Sequence, residues 1–147
     1  MDNNTIKKDI MEGVKDASNL EDIKDLEDIK RLVDIFYDKV REDALLAPIF
    51  NGIIKDRWPS HMNTMYTFWQ TVLLGDHTYF GSPFVPHAKL PVDHIHFQTW
   101  LKLFNETVDE LFSGTIATEA KWRADKMAIM FETKIKHYQN TEFRNLL

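Results

Sequence analysis

The chain of 147 residues contains no cysteine. Neither a disulfide framework nor a thiolate site is open to it, and any transition metal must be held by histidine or carboxylate. An excess of positive charge is also lacking, with 18 Lys and Arg against 23 Asp and Glu, a formal net charge of −5 and no long basic run. That excludes a typical nucleic-acid binder, whose affinity rests on neutralising phosphates. Small ligands or proteins are the expected partners. The first 24 residues, MDNNTIKKDIMEGVKDASNLEDIK, hold no unbroken apolar stretch, so neither a secretory signal nor a membrane span is read there. A cytoplasmic protein is expected, and the two Asn-x-Thr triplets at Asn3 and Asn105 are taken as chance.

Apolar residues make up 44% of the chain and aromatics 12%, enough for one domain with one sizeable core. Residues 1–20 are polar, with a weak helical stripe through Ile6, Ile10 and Val14, and read as a loosely docked helix or partly disordered arm. LEDIKDLEDIKR repeats a six-residue unit, Leu20 to Asp25 and Leu26 to Arg31. Two copies make no solenoid, and the stretch reads as an acidic helix start. Ile29, Leu32, Val33, Phe36, Tyr37 and Val40 then recur at steps of three and four, the mark of a helix with one buried face.

LLAPIF follows as a single expected turn, with Gly52 as its stop. A helix opening at Pro59 runs to Gly75. Three of the five prolines and two of the five glycines fall together in GDHTYFGSPFVPHAKLP, a loop of functional length. Behind Asp93 as N-cap, Phe97, Trp100, Leu101, Phe104, Val108 and Leu111 resume the helical period up to Gly114. The last helix starts at Thr115 and carries Ala120, Arg123, Met127, Met130, Phe131 and Ile135. Nothing reads as a strand. The fold class is all-α, a bundle or globin-type sandwich of four substantial helices.

Three of the six histidines, His87, His94 and His96, lie within ten residues. On a helix, His94 and His96 project about 200° apart, so they cannot share one ion. His94 is expected at the surface, His96 at the edge of the core, and His77 and His137 in solvent. His61 differs, because it heads an apolar stripe through Met65, Phe68 and Val72, where an imidazole needs a partner. Tyr37 raises the same question, with its hydroxyl on an inner face. His87 sits in the proline-rich loop beside Phe84 and Val85. One loop histidine opposed by Tyr37, His61 and Trp100 from three helices suits a flat iron cofactor with one protein ligand and a polar pocket on its other face.

The segments IFYDKVREDALLAPIF, WPSHMNTMYTFWQTVLLG, YFGSPFVPHAKL and HFQTWLKLF, in this order, resemble the truncated haemoglobins, and within them the third group. The resemblance runs from about residue 26 to about residue 131. It implies a two-over-two helical sandwich holding haem b, iron protoporphyrin IX. Position by position, His87 matches the iron ligand, Tyr37 the distal tyrosine, His61 the distal histidine and Trp100 the tryptophan beside the ligand pocket. Phe50 matches the phenylalanine lying against the porphyrin. Phe36, Met65, Phe68, Phe97 and Phe104 complete the expected haem contacts.

The implied layout is an N-terminal extension (1–20), a haem domain (21–140) and a C-terminal tail (141–147). The implied ligands are O2, NO and CO. Chemistry or sensing, such as nitric oxide dioxygenation with an electron-donating reductase, is favoured over oxygen transport, in a monomer. Two other readings stay open: a helical non-haem metalloenzyme using His61, His87 and a carboxylate, and a haem-less globin-fold interaction module.

Overall fold

The computed structural model describes residues 19–146, with side chains described to residue 141. The reading of residues 1–18 as a docked helix or arm lies outside the described residues. Five α-helices follow one another: α1 Leu26–Glu42, α2 Ala47–Ile54, α3 Trp58–Leu74, α4 His94–Leu111 and α5 Thr115–Leu146. No strand occurs among the described residues.

Helix α1 begins where the Asp25 carboxylate accepts the Asp28 amide, with Glu27 and Asp28 at the positive end of the helix dipole and Lys39 and Arg41 at the negative end. Its buried residues are the six that the periodicity marked, Ile29 through Val40. Fully burying each large side chain contributes about 1.5–3 kcal/mol. At the far end the Asp43 carboxylate accepts the amides of Leu45 and Leu46, turning the chain into α2.

Helix α2 corrects the expected single turn. Pro48 stands in its first turn, where the missing N–H is not needed. The helix passes through Gly52, whose lack of a side chain costs helical stability without ending it. It stops at Lys55, a non-glycine residue at φ 55°. Helix α3 ends as expected at Gly75, which adopts φ 75° and closes a bond to the Thr71 carbonyl.

The pairs α1–α3 and α4–α5 form two packed layers, with α1 also crossing α4 and α3 touching α5. Both pairs run antiparallel. Asp34 meets Tyr66 while Tyr37 meets His61, and His94 meets Glu132 while Asp109 meets Lys121. Here the expected inner face of α5 needs revision. Arg123 and Met130 are exposed, whereas Ala117, Ala120, Ala124, Ala128, Phe131 and Ile135 are buried. Small side chains let α5 approach α4 closely, and bulk returns only at Phe131. The helix continues through residues 141–146.

The first copy of the LEDIKD unit is not a helix start. Residues 20–24 precede the helix without regular structure, and they tie down the start of α5. The Glu21 carbonyl accepts the Ser113 amide, and the Asp22 carboxylate accepts the amides of Ile116 and Ala117 at 2.9 and 2.8 Å. Burial pushes the Asp22 carboxyl up, but the amides of Ile116, Ala117, Ile23 and Thr115 together outweigh it and hold the group below the usual range. Gly114 makes this approach possible, with φ +142° and space for a Cβ only 2.5 Å from the Asp22 Cγ. Gly114→Ala should therefore destabilise the fold by about 2–4 kcal/mol, through backbone strain and loss of the cap. Denaturant unfolding measures this, and a loss under about 0.5 kcal/mol would rule out the strap as a structural tie.

Candidate functional site

Between the two layers lies a cavity of about 110 Å³, walled by Phe36 and Tyr37 of α1, Met65, Phe68 and Trp69 of α3, Phe97 and Trp100 of α4, and Met127, Ala128, Phe131 and Ile135 of α5. A second cavity of about 250 Å³ adjoins it and is lined by Ile53, Ile54, Arg57, Ser60, His61, Thr64 and Pro86. Ile49, Phe50, His87 and Leu90 border both, so the two form one slot. None of the residues lining the first cavity is exposed, whereas Ile53, Arg57, Ser60, Thr64 and Pro86 are. The first is the floor of the slot and the second its mouth.

His87 ends a 3-10 turn, Val85–His87. Its Nδ1 lies 2.5 Å from the Pro83 carbonyl oxygen. A carbonyl only accepts, so Nδ1 carries the proton and a neutral His87 keeps its lone pair on Nε2. Burial holds the imidazole below its ordinary pKa, against the opposing pull of the Pro83 bond. The Phe131 ring lies 4.9 Å away at 34° and supports one face. This is a neutral imidazole in the tautomer a metal ligand requires, with its second nitrogen already oriented.

Opposite stand Tyr37 and His61. Their rings meet edge to face at 5.1 Å and 89°, and Trp58 packs against both, 5.8 Å from Tyr37 and 5.7 Å from His61. Burial alone raises the Tyr37 phenol far above its usual pKa, so it stays a protonated donor at neutral pH. The Nε2 of His61 is buried and has no hydrogen-bond partner among the described residues. Burial first, with smaller contributions from the neighbouring His87 and the Arg57 guanidinium, lowers the His61 pKa to about 4. The imidazole whose burial demanded a partner leaves Nε2 with none among the described residues. That orphaned nitrogen on the slot wall fits a site built for a molecule the chain itself does not supply.

Phe36, Tyr37, Phe50, His61, Met65, Phe68, His87, Phe97 and Trp100 all line the slot. Phe104 does not. It is wholly buried, stacked between Trp100 (5.7 Å, 7°) and Trp69 (4.9 Å, 19°), one layer behind the wall. Its helical step of four from Trp100 put it on the right face but too deep.

His94 is 62% exposed at its side chain and bonds Glu132, while His96 borders the floor and accepts the Asp93 amide on Nδ1 at 3.0 Å. His77 and His137 are exposed. Sequence reasoning missed Leu46, Ile49, Leu90 and Val92 as slot residues. Leu90 and Val92 flank Pro91 in a loop without period, and nothing in the sequence pointed them inward. Among the described residues no group of three or more His, Asp or Glu could hold a bare metal ion, so His61 and His87 find no carboxylate to complete a non-haem site. None of the described helices is long and apolar enough to cross a membrane.

A family model described as bacterial-like globin matches residues 20–135. The chain is 35% identical over 110 residues to the group 3 truncated hemoglobin ctb of Campylobacter jejuni, covering 72% of this chain and 87% of that protein. Its fold is similar to the crystal structure of the group III truncated hemoglobin from Campylobacter jejuni, with a TM-score of 0.73 at 33% identity over 79% of this chain and 94% of that one.

The orphaned nitrogen sets a stability test. A buried unpaired polar group costs about 1–3 kcal/mol, and an apolar group of like size removes the cost. In the ligand-free chain His61→Leu should raise stability by about 1 kcal/mol at pH 7. Because the folded-state pKa lies near 4, below the ordinary histidine value of 6.5, the unfolded chain binds more protons in between. Wild-type stability therefore falls as pH drops from 6.5 towards 4, and the variant should show a shallower fall over that range. Parallel profiles would show that His61 is satisfied in solution.

Proposed function

The chain belongs to the bacterial-like globin family, as a truncated haemoglobin of the third group, and from that premise we propose that it holds haem b in the slot and receives diatomic ligands there. The observation that carries this reading is the pairing of His87, a neutral imidazole fixed by Pro83, with the unpartnered Nε2 of His61 on the same slot. When bound, haem supplies an iron with one position left for O2, NO or CO. The protein's part is to bind, orient and exclude water.

His87 is the proposed iron ligand, through Nε2. Phe50, Phe36, Met65, Phe68 and Phe97 form apolar walls against the porphyrin faces, and keep water from the floor of the slot. Tyr37 offers its O–H, and Trp100 its indole N–H, to a ligand in the distal space. Dioxygen gains negative charge on binding, so donors strengthen its retention; each such bond nets roughly 0.5–1.5 kcal/mol, more towards a charged acceptor. Two donors slow release by about 10- to 100-fold, since 1.4 kcal/mol is one decade. Slow release suits chemistry or sensing better than transport. A conversion of nitric oxide and dioxygen to nitrate, with an external reductase restoring the iron, fits these residues, in a cytoplasmic monomer whose haem domain spans residues 21–140.

Two measurements test the reading. The purified chain should show a Soret band, and His87→Ala should lose haem at least tenfold faster while keeping its helical circular dichroism; unchanged retention would remove His87 as the ligand. Tyr37→Phe should speed oxygen release about tenfold in stopped-flow displacement by carbon monoxide. An unaltered off-rate would remove Tyr37 as a donor.

A further inference from the structure

Trp58 is the first residue of α3, buried yet lining neither cavity of the slot. It stands behind two residues that do. Its indole meets Tyr37 at 5.8 Å and 71° and His61 at 5.7 Å and 89°, and those two rings meet each other at 5.1 Å and 89°. The three rings thus close a triangle of edge-to-face contacts, the arrangement that ring quadrupoles favour. The indole itself is tethered from two other helices. Its Nε1–H donates to Asn51 Oδ1 of α2 at 3.2 Å, and the Arg41 guanidinium of α1 stands 4.4 Å from the centre of the ring.

Helical spacing links these contacts. His61 comes three residues after Trp58 and Arg41 four after Tyr37, so each pair shares one face of its helix. One turn of α1 and one turn of α3 therefore interlock, each sending one side chain to the slot and one behind it. Neither slot residue has an anchor of its own. His61 Nε2 has no partner among the described residues, and burial alone acts on the Tyr37 phenol, which leaves ring packing to decide both poses. We infer that Trp58 is the positioning residue of this pair: its tethered edge holds the His61 imidazole and the Tyr37 ring in one joint pose at the slot, without itself reaching a bound molecule. Removing it frees both rings at once. The effect of that pose on a ligand rests on the reading of the slot as a haem site; the pose itself does not.

The first test uses the full chain without any ligand. Diethyl pyrocarbonate modifies neutral imidazole nitrogens, and mass spectrometry of the digested protein follows each histidine separately. His77 and His137, both exposed, serve as internal references. Trp58→Ala should speed modification of His61 about fivefold relative to them, the effect of losing one ring contact. Trp58→Phe, which keeps an aromatic edge and loses the bond to Asn51, should stay within about twofold of the wild type. Equal acceleration at every histidine would mean a loosened fold, and no acceleration would mean that something else holds His61; either result overturns the assignment.

The second test uses the full chain loaded with iron protoporphyrin IX and carbon monoxide. A hydrogen-bond donor beside the bound gas lowers its infrared stretching frequency. Trp58→Ala should therefore add a band at the position that Tyr37→Phe gives, and Trp58→Phe should not. A single unshifted band in Trp58→Ala overturns the joint pose. A wild-type chain without a Soret band overturns the haem reading instead, while the modification rates still decide whether Trp58 sets the pose of His61.

Discussion

A folded interior packs to crystal-like density, yet this chain holds a slot open between its two layers. At about 24 cal/mol per Å³, the floor cavity of about 110 Å³ costs about 2–3 kcal/mol while empty. Nearly every other feature follows from keeping that space. Large rigid rings wall it: Phe36 meets Trp100 and Phe104 edge to face at 5.6 and 5.3 Å, an arrangement that resists collapse because rings have few rotamers to yield with. The polar atoms on its walls, the Tyr37 hydroxyl and His61 Nε2, add desolvation costs of their own. A tightly bound molecule offsets all of these by mass action.

How much of this could be read from the sequence depends on where a residue stands. The inner face of α1 was legible to the residue, because six side chains at helical spacing face one core. His61 was legible for the same reason in reverse, as a polar group on an apolar stripe. His87 was not; a loop has no period, and only the convergence of three helices and the resemblance of the flanking segments singled it out. The strap at residues 20–24 was hidden because LEDIKD has helical composition, and its role depends on Gly114, about 90 residues away. The depth of Phe104 was hidden for a third reason, since helical spacing gives direction and not distance from the axis of the slot.

The last helix joins these observations. Its start is set by Asp22 on the amides of Ile116 and Ala117, and its buried alanines keep it close against α4 for more than three turns before Phe131 restores bulk. Phe131 then meets the His87 ring at 4.9 Å. Register along a helix is rigid at 1.5 Å per residue, so the point at which the strap starts α5 decides where Phe131 falls. A shift of one residue would turn that ring by about 100° away from His87. The orientation of the histidine thus has two sources: a local one, the Pro83 carbonyl four residues earlier, and a distant one, carried through α5 from the strap at residues 20–24. A loop short of regular structure can present an imidazole in one pose only when both hold it, and this is why the acidic strap, remote from the slot and free of any ligand contact, belongs to the architecture of the site.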